Sequence, residues 1–125
     1  MKPGLAIALA VVLAVPAAAH AELDFGSIIE KGPPPLDSVE GAEFCAAVSL
    51  YLEFNTSDKD AGHRYDVDAH RWAGIASGLK GDALEDYMDE TVMEDAAGVN
   101  GLIQGDPGSQ GYYVDYCDKA AAQKP

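Results

Sequence analysis

The sequence predicts an all-α fold: a small bundle of about four short helices, clamped by one disulfide and preceded by a Pro-rich extended lead-in. Three observations carry this expectation. Beyond the prolines, apolar residues recur at spacings of three and four, the helical period, and strand-like alternation is scarce. The two cysteines, Cys45 and Cys117, stand near opposite ends of that region. Gly32-Pro33-Pro34-Pro35 cannot build a helix and favours polyproline geometry.

Taken in chain order, Met1-Lys2 is a short positive start, and Leu5 to Val15 is an uncharged apolar run. Pro16 ends it, and Ala19-His20-Ala21 fits the small-x-small pattern that a signal peptidase reads. The expected cut follows Ala21, with Ala19 as second choice. A membrane anchor would need roughly 20 apolar residues, about twice this run. Residues 1–21 are therefore expected to be a cleavable secretory signal peptide, and residues 22–38 an extended, partly disordered lead-in. Within that lead-in Leu23, Phe25, Ile28 and Ile29 could dock as one apolar patch. Residues 39–122 are expected to form a single helical domain, and residues 123–125 a frayed tail.

The first helix is expected over Glu40 to Phe54, with Asp37 or Ser38 as N-cap. Phe44, Cys45, Val48, Tyr51 and Leu52 make its apolar stripe. The second is expected over Ala61 to Leu79, with Tyr65, Ala69, Trp72, Ala76 and Leu79 on one face and a stop at Lys80-Gly81. The third should open at Asp82 as N-cap, with Glu85 completing a capping box. Leu84, Met88, Thr91, Val92, Asp95 and Val99 fall near its stripe, where Asp95 is a blemish. It should end before Gly98 or run on to Ile103. Gly105-Asp106-Pro107-Gly108 is a turn, and the fourth helix should run from Ser109 to Ala122 with Tyr113, Tyr116, Cys117 and Ala120 inward. Both cysteines lie on apolar stripes, which pairs the first and last helices; a three-helix core with an irregular third segment is the alternative. An even cysteine count without C-x-x-C, in an exported chain, points to one structural bridge.

The chain carries 21 Asp and Glu against 8 Lys and Arg, a net charge of −13. Loss of Lys2 with the leader makes the remainder one unit more negative. This excludes nucleic-acid binding, which needs a basic footprint, and docking on anionic lipid. A basic protein would be steered toward such a surface.

Candidate chemistry is thin. Asp58 to His70 begins like a calcium loop, but Gly62 is fifth rather than sixth and the twelfth position is Ala69. His63, Asp66 and His70 share a helical face and could ligate a metal, although no fourth ligand is evident. The acids between Asp82 and Asp95 read as a solvated face rather than an acid–base pair, which needs an apolar pocket. No nucleophile motif is present, and no cofactor is expected. Tyr112, off the inner stripe of its helix, and the acids Asp86, Asp89 and Glu90 are the expected contact surface.

These features favour an exported, periplasmic or secreted, acidic interaction protein without catalytic activity. An inhibitor, an immunity-type protein or an accessory subunit for a more basic partner would fit. An acid-responsive periplasmic chaperone is one alternative, since protonation of so many carboxylates could loosen the bundle. A small metal-binding protein built on His63, Asp66 and His70 is another.

Overall fold

The computed structural model describes residues 23–122, with side chains as far as Lys119. The expected signal peptide and frayed tail lie outside the described residues. These contain five helices and no strand. They are α1 (Phe25–Lys31), α2 (Val39–Phe54), α3 (Lys59–Ser77), α4 and α5 (Ser109–Ala122). Helix α4 is α-helical over Gly81–Tyr87, π-helical over Met88–Val92 and α-helical again over Met93–Gly105. No described helix is long and apolar enough to cross a membrane.

The lead-in is not extended throughout. Phe25–Lys31 forms α1, which the Pro-rich run after it conceals in the sequence. Asp24 caps it by accepting from the Ser27 N–H at 3.0 Å, and Lys31 sits in the last turn, where the helix dipole favours a cation. The patch expected from Leu23, Phe25, Ile28 and Ile29 is partly realised: Leu23 and Ile28 are buried, and Ile29 faces solvent. The Phe25 ring lies on Gly98 of α4, where any Cβ would overlap it. The Pro run itself is non-helical and is held through its last two carbonyls. The Pro34 carbonyl accepts from the Tyr116 hydroxyl of α5, and the Pro35 carbonyl accepts from Ser38 Oγ at 2.6 Å.

Ser38 then caps α2, its Oγ accepting from the Gly41 N–H at 3.0 Å. The Pro35 carbonyl presses on the Gly41 Cα, where a Cβ would not fit. Helix α2 departs from the expected single stripe, because every residue from Gly41 to Tyr51 is buried. A helix apolar on all sides belongs at the centre of a core. Helix α3, the π turn and second half of α4, and α5 pack around it. Phe44, Val48 and Cys45 are among its fully buried side chains. Full burial of a Val or Phe side chain contributes roughly 1.5–3 kcal/mol. The architecture is thus one central helix within a ring of others, with α1 resting on the second half of α4.

Asp58 caps α3 through the Asp60 N–H at 3.0 Å. The helix ends at Gly78, in the left-handed conformation with φ 73°, three residues before the expected stop at Gly81. The capping box expected at Asp82 and Glu85 does not form. Helix α4 opens at Gly81, Lys80 holds the cap position without a side-chain bond, and Asp82 is already helical. The Glu85 carboxylate reaches instead across to His70 of α3, at 2.9 Å, so it cannot turn back on the helix start. The second half of α4 runs on to Gly105, past the expected Ile103. Helix α5 spans the expected residues, after the turn at Pro107 and Gly108.

Candidate functional site

The two cysteines are joined, with their Cα atoms 5.6 Å apart. The bridge ties α5 to the middle of α2, beside an edge-on contact between Phe44 and Tyr113 with ring centroids 5.2 Å apart. Such a bond suits an oxidising compartment.

The expected metal set does not assemble. His70 Nδ1 lies 2.9 Å from the Asp66 carbonyl and 3.2 Å from its carboxylate, while Nε2 lies 2.9 Å from Glu85. His63 is exposed on the first turns of α3 and takes no part. With oxygens at both ring nitrogens, His70 is arranged as a donor at each end, whereas a metal needs a free lone pair on neutral imidazole. The hydrogen bond to the Asp66 backbone, more than the nearby Asp66 and Glu85 carboxylates, raises its pKa from the ordinary 6.5, against a smaller opposing effect of burial. Glu53 of α2 joins this junction. Burial, reinforced by the Asp66 carboxylate, raises its pKa. Among the described residues no group of three or more His, Cys, Asp or Glu is placed to hold a metal ion.

A second polar cluster lies inside the core. Glu43 of α2 is wholly buried, with 0% exposure, and Asp95 of α4 is 7% exposed. The Tyr87 hydroxyl donates to Glu43 Oε1 at 3.2 Å, and Glu43 Oε2 has no hydrogen-bond partner. Burial and then the Glu43 carboxylate, with a smaller effect of Asp95, raise the Tyr87 pKa well above its ordinary value. The π turn explains the grouping. In a regular α-helix residues eight apart are about 80° out of phase. The wider π turn between Tyr87 and Asp95 takes up that angle and brings both onto the buried face. These carboxylates are sealed from solvent and therefore from any substrate. They fix how α4 sits on α2.

The exposed features lie elsewhere. Tyr112 is 56% exposed, tilted against Tyr113 and Tyr116 at centroid distances of 5.7 and 6.4 Å. Its hydroxyl lies near Gly32, at the Pro-rich end of the molecule. Asp86, Asp89 and Glu90 are exposed around the π turn of α4, on a different helix from Tyr112. Beside these acids runs an apolar groove of about 310 Å³ between α2 and α4. Tyr51 and Phe54 form one wall, and Met93, Ala96 and Ala97 the other. No charged side chain lines it. Phe54 is 57% and Met93 43% exposed, so both leave apolar surface in water. Glu94 follows Met93 and precedes Ala97 by one turn, placing a carboxylate at the groove edge.

Comparison of the chain with protein-family models, with curated proteins and with solved structures finds no match. Neither Phe54 nor Met93 stands out as a site residue in the sequence. A signal existed for Met93: it is a large apolar residue off the stripe of Met88, Val92 and Val99, on a helix whose other outward positions are mostly acidic.

Proposed function

We propose that the protein is an exported, acidic interaction protein, without catalytic activity of its own, that binds a basic polypeptide segment in the groove between Phe54 and Met93. The observation that carries the reading is this apolar groove bordered by the ridge of α4. Residues 81–105 hold seven acids and no Lys or Arg. An exposed apolar surface rimmed by polar residues marks an interaction site. A single-sign rim selects the partner's charge and speeds its approach. The partner segment would insert an aliphatic or aromatic side chain between Phe54 and Met93 and set Lys or Arg against Glu90 and Glu94. The disulfide and the leader pattern at the chain start support the exported address.

Selection of random displayed peptides on the processed protein tests this. Enriched sequences should join Lys or Arg to one large apolar residue, and their binding should be lost in Phe54→Ser and Met93→Ser and weakened by salt. Enrichment of neutral or acidic peptides, or binding that survives both substitutions, refutes the reading.

A further inference from the structure

A different cavity carries a separate inference. Helices α3 and α5 both pack on α2, but no pair of their Cα atoms comes within 8 Å. The trough between them holds a cavity of about 320 Å³. Its floor is apolar, with Val48, Trp72 and Val114, and Cys117 also lines it. Its rim is charged with both signs. Arg64 and Arg71 line it, and they are the only arginines in the chain. Asp68 and Asp118 line it as well.

The four charges are not equally committed. Arg71 is held in place, its guanidinium 5.0 Å from the Trp72 ring centroid and 3.5 Å from Asp68. Among the described residues neither Arg64 nor Asp118 has an ion-pair partner. One guanidinium and one carboxylate thus remain open at the mouth of an apolar pocket. We infer that this cavity binds a small zwitterion, a free α-amino acid with an apolar side chain. Arg64 takes the carboxylate, Asp118 the ammonium, and the side chain lies on Trp72 and Val114.

Sign and size decide for this ligand class. A net anion would be repelled by a chain of charge −13. A net cation would leave Arg64 without a counterpart and bring a positive charge beside both guanidiniums. A molecule neutral overall but carrying both charges avoids each penalty, and a guanidinium is well shaped to grip a carboxylate. The volume lies at the lower end of ligand cavities, roughly 300–1,000 Å³, which suits one amino acid rather than a nucleotide or a lipid.

Calorimetric titration of the processed, oxidised protein with L-leucine and L-phenylalanine tests the inference, alongside L-leucinamide, which lacks the carboxylate, and N-acetyl-L-leucine, which lacks the ammonium. At least one free amino acid should bind, and each derivative should bind weaker by roughly tenfold or more, the loss of one charge-assisted contact. Arg64→Gln and Asp118→Asn should abolish binding while leaving the circular dichroism unchanged, since both side chains are exposed at the rim. No heat with either amino acid overturns the inference. So does equal binding of N-acetyl-L-leucine, which would make the cavity a simple anion site, or of L-leucinamide, which would make it a cation site. None of these outcomes bears on the peptide groove, which lies on the α4 side of α2.

Discussion

Replacing Cys45 and Cys117 together by alanine removes a tie that closes a chain segment of 72 positions. On the loop-entropy relation, a loop of that length lowers the entropy of the unfolded chain enough to contribute about 4 kcal/mol. The structure concentrates the effect in α5. That helix rests on α2 through the Phe44–Tyr113 edge contact and on the Pro run through the Tyr116 hydroxyl. By contrast α3 packs along the length of α2. A domain of this size is stable by about 5–15 kcal/mol, so the loss is a large share of the whole. Urea unfolding of the double variant, and of the wild type with its bond reduced, should show a drop of roughly 3–4 kcal/mol. Hydrogen exchange should show residues 109–119 opening before α2 and α3. A drop below about 1 kcal/mol, the scale of a surface ion pair, or uniform loss of protection across all helices, would refute the assignment of the bond as the clamp of α5.

The junction of α2, α3 and α4 sets a pH dependence whose sign follows from His70 and Glu53. Both have raised pKa values in the fold, so the folded chain binds their protons more tightly than the unfolded chain does. The His70 contribution is complete below its ordinary 6.5 and fades as pH rises through its folded value; that of Glu53 is complete below its ordinary 4.5 and fades in the same sense. The urea midpoint should therefore fall between about pH 6 and pH 8, and His70→Asn should flatten the slope; a midpoint that climbs over that range contradicts the assignment. Tyr87→Phe strips the hydrogen bond from the buried Glu43 carboxylate and should destabilise the fold by about 1–3 kcal/mol, measured by thermal or urea unfolding; no change would mean that this bond does not fix α4 on α2. Gly98→Ala drives a methyl into the Phe25 ring and should loosen α1, seen as faster amide exchange at 25–31. Gly101→Ala on the same helix meets open space and should instead stabilise by about 0.5–1 kcal/mol; equal effects at the two positions would count against the packing of α1 on Gly98.

These pH effects bear on the acid-responsive chaperone considered from the sequence. From the carboxylate count alone, protonation is expected to loosen the bundle. At this junction protonation favours the fold, so the two titrating groups argue in the opposite direction.

The helical period and the punctuation of the chain made four of the five helices legible, to within a few residues. Ser38 as cap and Pro107-Gly108 as turn act locally, so their meaning can be read from neighbours alone. Helix α1 was hidden because seven residues are too few to display a period, and its stability comes from lying on Gly98, far along the chain. The capping box at Asp82 failed for a similar reason: Glu85 has a better partner in His70, which only tertiary packing supplies. Asp95 was visible as an acid on an apolar stripe, but its companion Glu43 was not. A stripe of one-sided burial was expected for α2, and Glu43 lies off that stripe on a helix buried all round. The π turn left no mark in composition, since it adds no special residue type. Tyr112 is exposed as expected, yet the groove beside the acids is made by Phe54 and Met93, 39 positions apart and joined only by the packing of α4 on α2.

The proposed function has a basic segment seat an apolar side chain between α2 and α4. Its most direct measurement is a two-dimensional amide NMR titration of the isotope-labelled protein with a short peptide alternating lysine and leucine. The expected result is a set of shifts confined to Phe54, Met93, Ala96, Ala97 and Asn100 and their neighbours, saturating with peptide and shrinking as salt is added. Shifts that gather on another face, or a spectrum that does not move, would contradict it.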